Sequence, residues 1–266
     1  MHPVLFRLGP LALRSYGLFL FLAFVFGIWL AIIRAKKSNI KAESMIDLAI
    51  VVLVSSIIGS RVFYVIFHLE EFKGRFWDVV NPIHPSGDIG IAGLSMVGGV
   101  VLAVVIGLAY LYFKKLEIWR IADIVSPSFI LGLGIARIGC FLNGCCFGKP
   151  TNSFLGVVFP LDSPAGWVFP YTPIYPIQLF SSVGAIIVLV ILLYLERYKS
   201  FQGFVFWLVL LLYSIDRFII DFFRYYEPGT TFTLFQISFS ANQVTLFFVF
   251  FVSLFMFIWF KRKKIN

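Results

Sequence analysis

Charge is scarce in this sequence: Asp, Glu, Lys and Arg make up 13% of 266 residues, against 60% apolar and 19% aromatic residues. With a mean hydropathy of +0.95, the chain lacks the polar surface that a soluble globule must turn to water, so lipid is its main solvent. Cysteine occurs three times, as Cys140, Cys145 and Cys146, with no histidine nearby. Three such ligands make a poor zinc set, since a structural site takes four. Internal repeats, low-complexity stretches and soluble-domain linkers are also missing, and residues 1–266 read as one membrane domain.

What the chain does have is seven long apolar runs, at residues 16–34, 45–67, 90–113, 121–141, 175–195, 203–224 and 240–260. About twenty apolar residues in helix match the hydrocarbon thickness of a bilayer. Inside lipid every backbone polar group needs an internal partner, and these runs do not alternate as barrel strands would. The expectation is an all-α integral membrane protein, a bundle of about seven spanning helices. The first run is not a cleavable signal, because its strongest positive flank follows it and no small-residue cleavage site precedes Arg34.

The net charge of +9 reports topology rather than nucleic-acid binding. Thirteen basic residues fall in one set of connections: Arg34, Lys36, Lys37 and Lys41; Lys114, Lys115 and Arg120; Arg197 and Lys199; and the tail Lys261 to Lys264. The other face carries only Arg7, Arg14, Lys73, Arg75 and Lys149. The excess of positive charge on cytoplasmic loops then predicts an N-terminus outside and a C-terminus in the cytoplasm.

Four arginines remain, and Arg61, Arg137, Arg217 and Arg224 each fall in or at the end of a run. A buried arginine in lipid costs roughly 2.5–3.5 kcal/mol on insertion scales, so it faces a partner, a wet cavity or the bundle interior. By the predicted topology all four lie in the outer half. Arg217, Asp221 and Arg224 share one helical face at i, i+4 and i+7, so Arg217 and Asp221 can simply neutralise each other. Arg137 has no acid within a turn and precedes the polar segment 143–151. Its guanidinium suits a phosphate, which it can grip with two parallel hydrogen bonds. At that depth the phosphate is a lipid headgroup.

The runs entering from outside bring Tyr16, Ser95 to Gly99, Gln178, and Asn242 and Gln243 into the same layer. Gly98 and Gly99 would let two backbones, or a backbone and an acyl chain, come close. For the cysteines three readings stand open: a disulfide from Cys140 to Cys145 or Cys146, plain buried packing, or a nucleophile whose thiol is acidified by Arg137.

These residues resemble a known family, the phosphatidylglycerol:prolipoprotein diacylglyceryl transferases of bacterial inner membranes. The likeness runs through HPVLFRLGPLALRSYG with Tyr16, GSRVFYVIF around Arg61, GLSMVGG, RIGCFLNGCCFG, YPIQL, and RFIIDFFR ending in Arg224. It implies transfer of a diacylglyceryl group from phosphatidylglycerol to the lipobox cysteine thiol of prolipoproteins, with membrane lipid and the precursor's signal peptide as partners and with no cofactor, metal or nucleic acid. Arg137, Arg224 and Tyr16 are then the catalytic candidates. Arg61, Asn143, Gly98, Gly99, Gly148 and Gln243 are the substrate-binding ones. The departures are specific. Val97 stands where the family usually has a histidine, Cys140 and Cys145 where it has Asn and Glu, and Ser181 where it has an acid. His68 and His84 are the remaining candidates for a base. A covalent intermediate on Cys145 or Cys146 is one rival reading; a lipid-binding or lipid-moving protein that kept the headgroup site and lost the transfer step is the other.

Overall fold

The computed structural model describes residues 4–8, 11–74, 76–79, 93–227, 231–234 and 237–263. In chain order the elements are paired strands β1 (Val4–Leu8) and β2 (Leu11–Arg14), then helices α1 (Ser15–Lys37), α2 (Ala42–Phe67) and a single turn α3 (Leu69–Phe72). Next come α4 (Met96–Phe113), α5 (Ile118–Asn143), the short α6 (Pro164–Val168), α7 (Ile177–Leu195) and α8 (Phe204–Asp221). An antiparallel hairpin of β3 (Thr231–Leu234) and β4 (Ile237–Ser240) leads into α9 (Ala241–Lys263).

Among the described residues six helices are long and apolar enough to cross a membrane: α1, α2, α4, α5, α7 and α9. The seventh expected run forms α8, whose 18 residues include Asp216, Arg217 and Asp221. Those charges set it apart from the six by composition. Their placement is inverted relative to a helix in water: Ser214, Arg217 and Asp221 are buried while Ile215 and Ile219 are exposed. The same inversion runs along α9, where Gln243 and Ser253 are buried and Phe247, Phe248, Phe251 and Phe255 are exposed. Exposed aromatic and aliphatic faces on this scale need an apolar solvent.

The third run starts later than the sequence suggests. Gly93 has φ +72° and Ser95 is the N-cap of α4, its side chain accepting from the Gly98 N–H. A serine cap satisfies one of the amides left over at a helix start. The fifth run begins at Ile177 because Tyr175 is engaged in strand-like pairing, its N–H donating to Lys149 O at 3.0 Å.

The chain divides into two compact units. The smaller comprises Phe6–Ala12 and Ile32–Ile121, and its main contact is α2 against α4. A Cβ on Gly98 would collide with Phe63 and with the Gly59 carbonyl, and one on Gly99 with Ser60. Gly98 and Gly99 thus serve the approach of two helix backbones. Arg61 in this unit donates from Nε to Val79 O at 2.8 Å and from a terminal nitrogen to Gly93 O at 3.2 Å, with its guanidinium over the Phe72 ring. It ties the segment after α2 to the segment before α4.

The larger unit comprises Met1–Leu5, Leu13–Ala31 and Ala122–Asn266. Asp123, 1% exposed, anchors one end of it by accepting from the Gly203 N–H at 2.8 Å and the Phe206 N–H at 3.0 Å, and by pairing with Lys199 at 2.9 Å. It stands in for a cap at the start of α8, whose own N-cap, Gly203, has no side chain to offer. Asp123→Ala strands both amides and is expected to cost about 1–3 kcal/mol. Thermal unfolding in detergent checks this, and an unchanged midpoint would contradict it.

Candidate functional site

The site lies in the larger unit, where α5 ends. Gly144 (φ +70°) and Cys146 (φ +57°) turn the chain out of the helix. Residues 147–151 then run between two extended segments. On one side Lys149 N–H donates to Phe223 O at 2.8 Å and Tyr225 N–H to Phe147 O at 3.2 Å, and Gly148 is bridged to Arg224. On the other Gly148 N–H donates to Tyr175 O at 3.2 Å and Thr151 N–H to Pro173 O at 2.9 Å. Arg224 is thereby fixed in the backbone next to the cysteine turn, and the cation on it stacks over Tyr226.

Gly148 permits that arrangement. A Cβ there would sit 2.5 Å from Tyr175 O and 2.8 Å from Tyr175 Cβ, so backbone would have to move. By contrast nothing lies within 4 Å of a Cβ built on Gly17. Gly148→Ala is expected to lower activity at least about tenfold by shifting Arg224, roughly the effect of a 1 Å misplacement or less. Gly17→Ala is expected to be silent, and equal activities in the two variants would refute the assignment.

Gln178, buried, donates from Nε2 to Cys145 O at 2.8 Å and pins the turn to α7. Gly139 lets α1 approach α5, a Cβ there falling 2.7 Å from Phe19 Cβ and 3.4 Å from Tyr16 Cα. This sets Tyr16 within electrostatic reach of Arg137 and all three cysteines. Arg137 lies within electrostatic reach of Cys146, and Asn143 lies beside Cys145. All three thiols are free, with their sulfurs within 4.8 Å of one another. The neighbouring Cys140 and Cys145 thiols, then the Arg224 and Arg137 guanidiniums, hold the Cys146 thiol below its ordinary range.

Arg217 joins the cluster, feeling both Arg137 and Arg224. Its Nη2 pairs with Asp221 Oδ1 at 2.9 Å, as the i, i+4 spacing suggests. Its Nη1 is buried with no hydrogen-bond partner among the described residues. Asp221 is saturated elsewhere: Tyr226 Oη donates to both carboxylate oxygens at 2.8 Å, and Ser240 Oγ donates to Oδ2. Burial raises the pKa of the Tyr226 hydroxyl, so it remains a donor. Arg137 and Arg224 are in no ion pair among the described residues. Cys146, Arg224 and Tyr226 line a cavity of about 460 Å³ with Phe147, Tyr225 and Asn242.

Arg224 lines this cavity and Arg137 acts on the Cys146 that borders it; guanidiniums so placed suit an anion. Matches with known proteins agree in kind. The family described as prolipoprotein diacylglyceryl transferase matches residues 3–259. The chain belongs to this family. It is 30% identical over 265 residues, 97% of each chain, to a protein of Clostridium tetani named phosphatidylglycerol–prolipoprotein diacylglyceryl transferase. A Clostridium perfringens protein named phosphatidylglycerol–prolipoprotein diacylglyceryl transferase 1 is 33% identical over 229 residues, 84% of this chain and 83% of the relative. A Clostridium botulinum protein of the same name is 31% identical over 224 residues, 84% of this chain and 85% of the relative.

Within this family member the expected site residues divide by unit. Tyr16, Arg137, Asn143, Gly148, Arg224 and Gln243 belong to the larger unit; Arg61, Gly98 and Gly99 belong to the smaller. Gln243 spends its amide on the protein itself, accepting from Ser240 N–H at 2.9 Å and donating to Phe218 O at 3.3 Å. His68 sits in the smaller unit, its Nδ1 3.0 Å from Tyr64 O and its ring stacked on Tyr64, while His84 lies outside the described residues. Tyr226 and Ser240 escaped the sequence reading. Ser240 reaches Asp221 because the hairpin returns the chain, and its strands alternate over only four residues each; Tyr226 reaches Asp221 from five residues on, a spacing that no helical period signals.

Proposed function

We propose that this chain transfers the diacylglyceryl group of phosphatidylglycerol to the lipobox cysteine thiol of prolipoproteins, the first step of bacterial lipoprotein maturation. It does so in the inner membrane as a seven-span protein, N-terminus outside and C-terminus cytoplasmic, with α8 as the span that the charges disguise. The basic residues concentrated in one set of loops support that orientation.

The observation that carries the reading is the pair of unpaired guanidiniums, Arg137 and Arg224, gathered at one cysteine turn. Displacement at a carbon bearing a phosphate ester builds negative charge on the departing phosphate, and fixed cations aimed at it lower the barrier. Arg137 and Arg224 take the phosphate, and Arg217 reinforces the field through its free Nη1. Tyr16, Asn143 and Gly148 shape the headgroup pocket, and Gln243 positions Ser240 and through it Asp221. Arg61, Gly98 and Gly99, in the smaller unit, hold the α2 and α4 ends together. Purified protein mixed with phosphatidylglycerol and a peptide bearing a lipobox cysteine is expected to add a diacylglyceryl mass to the peptide. No added mass, together with lipid movement between vesicles, would favour a lipid-moving protein instead.

A further inference from the structure

The cysteine cluster is unexplained by phosphate binding. Cys140 comes from the last turns of α5, and Cys145 and Cys146 come from the turn that follows it. A thiol at i and two at i+5 and i+6 meet only because the chain reverses at Gly144 and Cys146. Two other contacts hold that reversal: Cys145 N–H donates to Cys140 O at 3.2 Å, and Gln178 pins the Cys145 carbonyl from α7. The three sulfurs end within 4.8 Å of one another. Two sulfurs sharing one tetrahedral zinc at a bond length near 2.3 Å stand about 3.8 Å apart. Closing onto an ion therefore asks for side-chain adjustments of about 1 Å or less between sulfurs.

From this convergence we propose that Cys140, Cys145 and Cys146 form a three-thiolate site for a thiophilic divalent ion of the zinc class, with the fourth position open for an incoming thiol. Three donors are too few for a closed structural site, as the sequence suggested, but they are the number that zinc sites with an exchangeable position use. Soft thiolate donors select zinc-class ions over magnesium or calcium. Polar side chains that could serve as a second shell lie close by, Arg137 near Cys146 and Asn143 near Cys145. Cys146 also lines the cavity that Arg224 shares, so an ion on these sulfurs borders the phosphate pocket.

What fills the fourth position rests on the transfer reaction proposed above. The precursor's thiol binds the ion as thiolate and gives its proton to solvent. Its sulfur then bonds to the glyceryl carbon as the carbon–oxygen bond to phosphate breaks, and the pair of electrons leaves on glycerol phosphate. The ion keeps its oxidation state throughout. A metal-held thiolate needs no histidine, which accounts for Val97 at the position where the family's base usually stands.

Cobalt(II) gives a spectroscopic test that does not depend on turnover. The full-length protein, reduced and stripped with chelator in detergent, is expected to bind one cobalt per chain with tetrahedral d–d bands and sulfur-to-cobalt charge transfer. Cys140→Ser, Cys145→Ser and Cys146→Ser are each expected to remove about a third or more of that charge-transfer intensity. In the unmodified protein, zinc should protect all three thiols from alkylation, a result read by mass spectrometry without any variant. Adding lipobox peptide should raise the charge transfer by about a third, as three sulfurs become four, and its serine analogue should not. Absence of tetrahedral bands, bands unchanged in all three variants, or thiols unprotected by zinc would overturn the site. Equal responses to the two peptides would overturn the thiol position. Protein that loads cobalt yet never modifies the peptide counts against the transfer reaction and leaves the site standing.

Discussion

Arg137→Ala is expected to lower diacylglyceryl transfer about a hundred- to a thousandfold, the cost of removing one preorganised donor from a developing anion. The protein should still reach the membrane. Arg137 is half-buried near the C-terminal end of α5 and carries no ion pair among the described residues, so its removal strands no acid. Its charge beside Cys146 is lost, but the turn is held by Gln178 and by the strand-like pairing around Gly148. Loss of turnover with a normal unfolding midpoint is therefore the signature of a group spent on chemistry. Arg137→Lys separates charge from geometry: if two parallel hydrogen bonds to phosphate matter, lysine recovers only part of the loss. Near-normal turnover in Arg137→Ala would remove this residue from the reaction, and the proposed phosphate site with it.

The helices were legible because lipid imposes one rule on every residue of a span. Each of the seven apolar runs became a helix, and their ends moved by the few residues that caps decide. Ser95 delays α4, and the pairing of Tyr175 delays α7. The embedded arginines were legible for the related reason that a charge in lipid is expensive and so is placed for a purpose. What sequence could not convey was pairing at a distance. The hairpin β3–β4 brings Ser240 onto Asp221, and residues 147–151 become the middle of an extended arrangement because Phe223 and Tyr175 lie on either side. The hairpin strands alternate polar and apolar residues, TFTL and ISFS, but over only four residues each, and residues 147–151 carry no period. Gly98 and Gly99 show the converse limit. Their spacing announces a close approach but not what approaches, and here it is the α2 backbone.

Asp221→Ala is expected to be the most destabilising change near the site, by about 3–5 kcal/mol, because it leaves Arg217 as an uncompensated buried charge. Arg217 is 5% exposed and Asp221 2%, and Tyr226 and Ser240 would lose their acceptor as well. Arg217 could nevertheless be present only to neutralise the acid, and a double variant decides between the roles. If the pair is purely structural, replacing both members with apolar residues, Arg217→Met with Asp221→Leu, restores much of the stability and the activity together, since a buried ion pair is often no better than good apolar packing. If the buried Nη1 of Arg217 reinforces the phosphate site, as its exchange of field with Arg137 and Arg224 suggests, stability returns and turnover does not. Unfolding midpoints and transfer rates measured on the wild type, both single variants and the double variant give the coupling energy for each quantity separately. Recovery of turnover in step with stability would reduce Arg217 to a partner of Asp221; recovery of stability alone makes it the third cation of the site.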